Sequence, residues 1–173
     1  MTDEERFWSM VEAAWAPLGE EVTRARHELA TRTPGPDDVR YGEPPFALLT
    51  EAMDDFVRNL ATAAANLTSA ELTDLDRVIE RKLHDIDRAD VQEVTDGSDD
   101  GFLYARGFIV ALGREFYDAV VRDPRMAILD ADCEEICYLF AHLHHKRFGA
   151  FPETGSGITR ESCSNPAGWP AEV

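Results

Sequence analysis

Residues 95–124, TDGSDDGFLYARGFIVALGREFYDAVVRDP, decide the fold of this chain. From Phe102 onward, apolar residues recur at the spacing of one helix face. They are Phe102, Ala105, Ile109, Leu112, Phe116 and Val120. Because large aromatic and branched side chains share this stripe, we expect it to face a protein interior. The pattern predicts a central core helix near residues 99–121.

The start of this helix carries its own signals. Gly97 is expected to end the preceding helix, and Ser98 is a good N-cap because its hydroxyl accepts a free backbone N–H. Asp99 and Asp100 then fall in the first turn, where the helix dipole favours negative charge. A second interpretation makes Asp99 and Asp100 a carboxylate pair at the rim of a pocket. Both interpretations stay open at this level.

Three polar residues on the same helix are candidates for a site. Arg106 and Tyr117 lie on a stripe that flanks the apolar face, and Arg114 lies further round. A buried arginine needs a partner, since an unpaired buried charge is very costly. We expect Arg106 to pair with an acid from another helix or from the Asp99–Asp100 turn. The alternative is an arginine that binds an anion or a partner.

Two glycines interrupt the central helix pattern. Gly107 and Gly113 each cost a helix about 1 kcal/mol relative to alanine. They are tolerable where another element approaches closely. Asp123-Pro124 then indicates a new helical turn, with Asp123 as N-cap and proline at the first helical position.

These residues resemble a bacterial family, the domain-of-unknown-function family numbered 4240. The pieces that carry the resemblance are Phe7-Trp8, Ser98-Asp99-Asp100-Gly101-Phe102, Arg106, Phe108-Ile109-Val110, Gly113-Arg114 and Asp123-Pro124. Two positions depart from the family pattern, because Ala105 stands where an aromatic is expected and Phe108 where tryptophan is expected. The resemblance covers about residues 5–150. It implies a shared fold unit, and the family implies no activity.

The remaining helical periodicity predicts an all-α single domain of about six helices. Thr68 and Glu71 form a capping box, which fixes the start of one helix. The expected helices cover residues 2–17, 20–32, 46–66, 69–87, 99–121 and about 132–148, with a loop at 33–45, a turn at 124–129 and a stop at Gly149. Residues 1–149 form the domain, and residues 150–173 are an irregular C-terminal tail.

Charge narrows the classes of partner. The chain has 173 residues, 34 acids and 17 lysines and arginines, with a formal net charge of −17. This charge disfavours nucleic acid and anionic membrane surfaces. Eleven acids against four bases lie between Glu71 and Asp100. Such a surface fits a basic protein partner, and it fits a simple solubility feature equally well.

The cysteines and histidines predict neither a metal nor a cofactor. Cys133 and Cys137 share a helix face, but His144 lies seven residues further, about 10.5 Å along the axis, too far for one ion. No phosphate loop, dinucleotide fingerprint or nucleophile elbow is present in the sequence. An odd cysteine count, an acidic N-terminus and the lack of a long apolar run together favour a reducing cytoplasm.

Two functions follow from the sequence. The first is an acidic protein-interaction or regulatory module, of which an immunity or inhibitor role is one version. The alternative is a small-molecule-binding protein or enzyme with a polar pocket around Arg106, Tyr117 and the Ser98–Asp100 turn. No catalytic residue is assigned, and the sequence leaves enzyme activity, substrate and oligomeric state open.

Overall fold

A computed structural model of the chain describes residues 1–95 and 98–171. The predicted helix stop at Gly97 lies outside the described residues. Within them the chain is all-helical, as expected. The nine α-helices of the described residues are α1 Asp3–Trp15, α2 Glu20–Thr31, α3 Phe46–Ala64, α4 Ser69–Asp85, α5 Ala89–Gln92, α6 Asp99–Ala111, α7 Arg114–Arg122, α8 Glu134–Cys137 and α9 Leu139–Phe148. Two 3₁₀ turns cover Ala16–Leu18 and Pro124–Met126.

Local capping chemistry starts α1 and α4 where the sequence indicates. Thr2 and Glu5 form a reciprocal capping box at α1, and Thr68 and Glu71 form the predicted one at α4. Each threonine hydroxyl accepts the backbone N–H three residues on, while the glutamate accepts the threonine N–H. Two orphan donors are satisfied at each helix start.

Helix α6 lies at the centre of the molecule. Every residue from 105 to 113 is buried, so the second half of this helix is covered on all sides. It packs most extensively against α8, while α4 packs against α9 and α1 against α3. The sequence prediction of a central core element is confirmed.

The predicted continuous helix over 99–121 is wrong, because the chain breaks at Gly113. Gly113 has φ +96°, a left-handed conformation that glycine adopts without steric cost. The break begins α7, which turns its own apolar side to the core through Phe116, Tyr117 and Val120. A Cβ at Gly113 would lie 2.6 Å from Glu12 Oε1 and against Arg26 Nη2. The ion pair between these two side chains fills the space that glycine leaves.

The predicted last helix is also two helices. It begins after Cys133 and is interrupted at Tyr138, whose φ of −130° lies outside the helical range. With α5 as a separate turn, residues 1–95 and 98–171 contain nine α-helices rather than about six. The predicted stop at Gly149 is confirmed, since this residue adopts the left-handed conformation (φ 78°, ψ 3°).

Residues 150–171, here called the C-terminal strap, contain no helix and lie across the helical body. The strap meets α4 and α6 through many polar contacts, and Arg160 is its one buried residue among those described. Trp169 packs edge-to-face on Phe102 with ring centroids 6.1 Å apart, whereas Phe151 is 58% exposed. The part of the chain that the structure describes holds no helix long and apolar enough to cross a membrane.

The close approach of α6 and α8 depends on Gly107. A Cβ at this position would lie 2.7 Å from Cys137 Sγ and still closer to the Cys133 carbonyl oxygen. The backbone of α8 cannot give way without moving the helix. No side chain fits at position 107 beside Cys133 and Cys137. This confirms the expectation that another element approaches Gly107 closely.

We predict that Gly107→Ala lowers the free energy of unfolding by about 1–3 kcal/mol through this overlap. Urea unfolding followed by circular dichroism measures it. Gly35→Ala is the matched control, since nothing lies within 4 Å of a Cβ there and the loop backbone is not left-handed. The control should be unchanged or more stable by up to about 1 kcal/mol. Equal stability of the two variants would contradict the close-approach explanation.

Candidate functional site

Arg106 and Tyr117 converge on one structural target, the C-terminal end of α4. The Tyr117 hydroxyl donates to the Lys82 carbonyl at 3.0 Å, and Arg106 Nη1 donates to the Leu83 carbonyl at 2.8 Å. Asn165 Nδ2 donates to the next carbonyl, of His84, at 3.0 Å. The last carbonyls of a helix lack partners within it, so these three side chains cap α4 from outside.

Arg106 is fully buried, and it is held by neutral acceptors. Its Nη2 donates to the Arg160 carbonyl at 2.9 Å and to Ser162 Oγ at 3.1 Å, and its guanidinium lies 4.7 Å from the Phe102 ring. No acid among residues 1–95 and 98–171 lies within ion-pair distance, so the expected carboxylate partner is not found there. Burial lowers the pKa of Arg106, and Asp87 opposes that shift. The partial negative charge of a helix C-terminus takes the place of a carboxylate.

Tyr117 is equally enclosed. Its side chain lies 5.4 Å from the Trp8 ring, and burial raises the pKa of Tyr117 far above its usual value. The hydroxyl therefore stays protonated and acts as a donor to α4. Both residues belong to the packed interior, and neither side chain is open to a ligand.

The Ser98–Asp100 turn follows the capping interpretation in its geometry. Ser98 Oγ accepts the Gly101 N–H at 3.1 Å, and Asp99 and Asp100 lie exposed in the first turn of α6. The Asp99 carbonyl accepts a hydrogen bond from Ser162 Oγ at 2.6 Å. The turn thus touches the strap through its backbone.

Arg114 lies apart from the other candidates. It begins α7 at the surface, 3.7 Å from Asp118, and lines a cavity of about 560 Å³ with His27 and Glu115. His27 Nδ1 lies 2.9 Å from Glu115 Oε1. The structure therefore brings Arg106 and Tyr117 together and leaves Arg114 on another face.

The acidic stretch from Glu71 to Asp100 is only partly a surface. Asp76, Glu80 and Asp87 are buried, with 2%, 8% and 0% exposure. Asp76 and Glu80 fall on the apolar side of α4, among Leu72, Ile79 and Leu83. The position of these two acids on the apolar face could have been read from the sequence as a sign of burial, which the count of charges alone does not reveal. Buried carboxylates need partners, and here the strap supplies them.

Arg160 of the strap inserts between the first two of these acids. Its Nη1 and Nη2 lie 3.1 and 2.9 Å from the two Asp76 oxygens, and Nη2 lies 3.5 Å from Glu80 Oε1. Its Nη1 also donates to the Cys137 carbonyl at 2.5 Å, and its Cζ lies 4.9 Å from the Tyr138 ring. Burial alone would lower the pKa of Arg160, but Asp76 and Glu80 outweigh burial and raise it. The guanidinium stays charged.

Asp87 makes the second attachment. Its carboxylate accepts three consecutive backbone N–H groups, of Cys163, Ser164 and Asn165, at 3.0, 2.6 and 2.9 Å. The Trp169 indole N–H adds a fourth donor at 3.1 Å. A carboxylate with four donors is well satisfied despite complete burial.

A cleft of about 490 Å³ opens where the strap meets α4 and α9. Asp76, Glu80, Tyr138 and Arg160 contribute its polar wall, and Phe151 closes one side. Tyr138 donates to Glu161 Oε1 at 3.1 Å. Burial and Glu161 raise the pKa of Tyr138 to about 12. We call this space the acidic cleft.

A second depression of about 390 Å³, here called the α8–α9 groove, lies on the other side of Tyr138. Val57 and Ala61 of α3 and Leu139 and Leu143 of α9 form its apolar wall. Its rim carries Glu134, Glu135, His142 and Lys146. Both glutamates are exposed in the first turn of α8.

The cysteine pair sits in the core. Cys137 Sγ lies 3.6 Å from the carbonyls of Leu103 and Cys133, and burial raises the pKa of Cys137 to about 12. Such thiols are protonated packing groups at neutral pH. His144 points elsewhere, with Nδ1 2.6 Å from the Ala150 carbonyl and Nε2 2.7 Å from Ser69 Oγ. The described residues contain no cluster of three side chains that could hold a metal ion.

These features define an all-helical protein in which a central buried arginine and an acidic helix face together hold a C-terminal strap. The chain belongs to a family described as a protein of unknown function (DUF4240), whose model matches residues 47–145. This confirms the resemblance seen in residues 98–124, while Phe7-Trp8 and the strap lie outside the matched range. No curated protein and no solved structure matches the chain.

We predict that Ser98→Ala lowers the free energy of unfolding by about 1 kcal/mol, because the Gly101 N–H loses its side-chain acceptor. The urea midpoint measures the loss. Ser98→Asp should retain most of the stability, since aspartate also caps helices. An unchanged midpoint in Ser98→Ala would remove the capping role and favour a functional one.

We predict a larger loss, roughly 3–5 kcal/mol, for Arg106→Ala, because the Leu83 and Arg160 carbonyls would remain buried without donors beside a new cavity. Arg114→Ala is the matched control. Arg114 is 59% exposed in a pair of 3.7 Å, so its removal should change stability by about 0.5 kcal/mol or less. Comparable urea midpoints for the two variants would show that Arg106 does not cap α4.

Proposed function

We propose that this chain is a protein-interaction module that binds a basic, apolar-anchored segment of a partner in the α8–α9 groove. The observation that carries the proposal is the groove itself, an exposed apolar depression with two adjacent glutamates on its rim. Contiguous exposed apolar surface rimmed by polar groups is typical of interaction sites. An apolar side chain would occupy the space between α3 and α9.

Charge selects the kind of partner. Glu134 and Glu135 face solvent beside the groove, and Lys146 is the single lysine among its lining residues. The whole chain carries a formal net charge of −17, so a basic partner is attracted over a distance before contact. The same charge disfavours nucleic acid and anionic membranes as partners. The free cysteines fit a reducing cytoplasm as the place of action.

Tyr138 and His142 line the groove, and the Phe151 ring lies outside it, 6.2 Å from the His142 ring. His142 stacks on Tyr138 with ring centroids 5.9 Å apart, and Phe151 stacks on His145 at 4.5 Å. Phe148 and Phe151 are 45% and 58% exposed. Rings of this kind dominate the energetics of many interfaces, because they bury much area with few rotatable bonds. A regulatory or inhibitory role would follow from which protein is bound.

A small-molecule site is the second candidate, and one observation favours it. The acidic cleft has about 490 Å³ and convergent polar groups, dimensions that suit a small ligand. Its place differs from the pocket expected around Arg106 and Tyr117, whose side chains are buried in the interior.

The test is affinity capture from the native host with the wild type, two groove variants and a control variant, read by quantitative mass spectrometry. Glu134→Lys/Glu135→Lys should reduce the recovery of the specific partner about tenfold, because two attractive rim charges become repulsive. Glu20→Lys/Glu21→Lys is the matched control, since these adjacent glutamates are also exposed in the first turn of a helix. The control should retain the partner to within about twofold.

The captured partner should be basic, and its binding should weaken steeply as salt rises. Leu143→Asp should also release it, because a carboxylate then occupies the apolar wall. The groove is the interaction site only if some protein is captured by the wild type and by the control and is lost from both groove variants. Absence of any such protein would contradict the proposal.

A further inference from the structure

The contacts of Arg160 describe a receptor for one chemical group. Two Asp76 oxygens meet the two Nη atoms in a bidentate pair at 3.1 and 2.9 Å, and the Cys137 carbonyl accepts from the edge. The Tyr138 ring lies 4.9 Å from Cζ. A planar fork, two charges and an aromatic face match a guanidinium and suit an ammonium poorly. The site is therefore specific in shape as well as in charge.

The receptor and its occupant come from different parts of the chain. Asp76, Glu80, Cys137 and Tyr138 all lie within residues 47–145, the range that matches the family. Arg160 lies outside that range, 84 residues beyond Asp76. Residues 47–145, which match the family, thus contain the hydrogen-bond acceptors, and a segment outside that range supplies the guanidinium that binds them.

The strap is attached in a way that permits release. Among its described residues only Arg160 is buried, and Trp169 is the strap's one large apolar side chain packed on the core, so little apolar area holds the segment down. Its contacts with α4 are polar, including Thr154 and Ser156 hydroxyls that donate to Glu80 Oε2 at 2.8 and 2.5 Å. Loss of the buried Arg160–Asp76 pair is costly unless another cation takes its place, so lifting of the strap favours entry of a second guanidinium.

The acidic cleft gives access to the same groups. The cleft has a volume of about 490 Å³, and Asp76, Glu80, Tyr138 and Arg160 line it. An incoming side chain therefore reaches the carboxylates without crossing the helical core. Glu161 stands beside the cleft as a further acid. The cleft is evidence for a ligand path that is independent of the acids themselves.

We propose that Asp76, Glu80, the Tyr138 ring and the Cys137 carbonyl form a guanidinium-binding site that the strap fills with Arg160 and that an arginine side chain of another polypeptide occupies when the strap lifts. Tyr138 lines both this site and the α8–α9 groove, but Asp76, Glu80 and Arg160 lie outside the groove, so the proposal does not depend on the function proposed for that groove. The strap acts as a built-in competitor that sets how strongly an external arginine must bind.

The test uses the full chain with Arg160→Ala, which vacates the site, and N-ethylguanidinium as the probe. The probe should raise the thermal midpoint saturably, by roughly 3–6 °C at about ten times its Kd. N-ethylammonium, equal in charge but without the fork, should not do so. The wild type should show no saturable rise because Arg160 occupies the site. If Arg160→Ala is unfolded at 25 °C, recovery of helical circular dichroism with the probe replaces the midpoint.

The double variant Asp76→Asn/Arg160→Ala tests whether the probe binds at Asp76. It keeps the shape of the residue-76 side chain and removes the carboxylate charge that binds the guanidinium. It should lose the response to N-ethylguanidinium. An equal response to both cations in Arg160→Ala, or an undiminished response in the double variant, would overturn the proposal.

A last arm identifies the source of the guanidinium. The capped tetrapeptide Ile-Thr-Arg-Glu, which copies residues 158–161, is compared with free L-arginine on Arg160→Ala. The peptide should bind at least about tenfold more tightly, because it can displace residues 158–161 of the strap and its own carbonyl then accepts from Arg106 as the carbonyl of residue 160 does, whereas free arginine replaces only the side chain. Tighter binding of free arginine would contradict a polypeptide source, and binding of neither would overturn the site.

Discussion

The end of helix α4 is the point on which the rest of the structure depends. A helix leaves its last carbonyls without internal partners, and a buried helix end must obtain donors from elsewhere. Here α7 supplies Tyr117, α6 supplies Arg106 and the strap supplies Asn165. One backbone requirement therefore ties three separate segments to a common position. The guanidinium of Arg106 extends the link, because it also holds the strap at the Arg160 carbonyl.

A buried cation with neutral acceptors differs from a buried ion pair in its electrostatics. The carbonyl dipoles at a helix C-terminus give fixed partial negative charge, so among the described residues Arg106 needs no carboxylate in direct contact. The other buried arginine, Arg160, is instead neutralised by two carboxylates, those of Asp76 and Glu80. Both arginines fix residue 160 of the strap: Asp76 and Glu80 hold its side chain, and Arg106 donates to its backbone carbonyl. Burial of three acids of α4 and its C-terminal connection is tolerable because the strap satisfies each of them.

Much of the fold was readable from the sequence. Periodicity and capping signals located α1 to α4 to within a few residues, because local chemistry at Thr2 and Thr68 fixes those helix starts. The breaks at Gly113 and Tyr138 were missed because the apolar period continues through both positions. Burial of Arg106 followed from its place beside the apolar stripe. Its partners did not, since carbonyl acceptors leave no trace in the side-chain pattern.

The acidic site was hidden for a related reason. Asp76 and Glu80 were counted as surface charge, although they lie on the buried side of α4. Their partner is 84 residues away in a segment without periodicity. A sequence offers no rule that joins one arginine in an irregular tail to two particular acids among 34. Only the path of the chain makes the pairing visible.

The grip of Asp87 on the strap has a consequence for how this segment can vary. The carboxylate binds the backbone N–H groups of residues 163–165, and every amino acid except proline offers such a group. This contact therefore constrains the path of the backbone, in which Cys163 has φ +63°, more than the identity of the side chains. Glycine or asparagine would suit position 163 as well as cysteine. Asp87 has no such freedom, because its carboxylate supplies the acceptors. Residues 163–165 can therefore be replaced without loss of this contact, whereas Asp87 cannot.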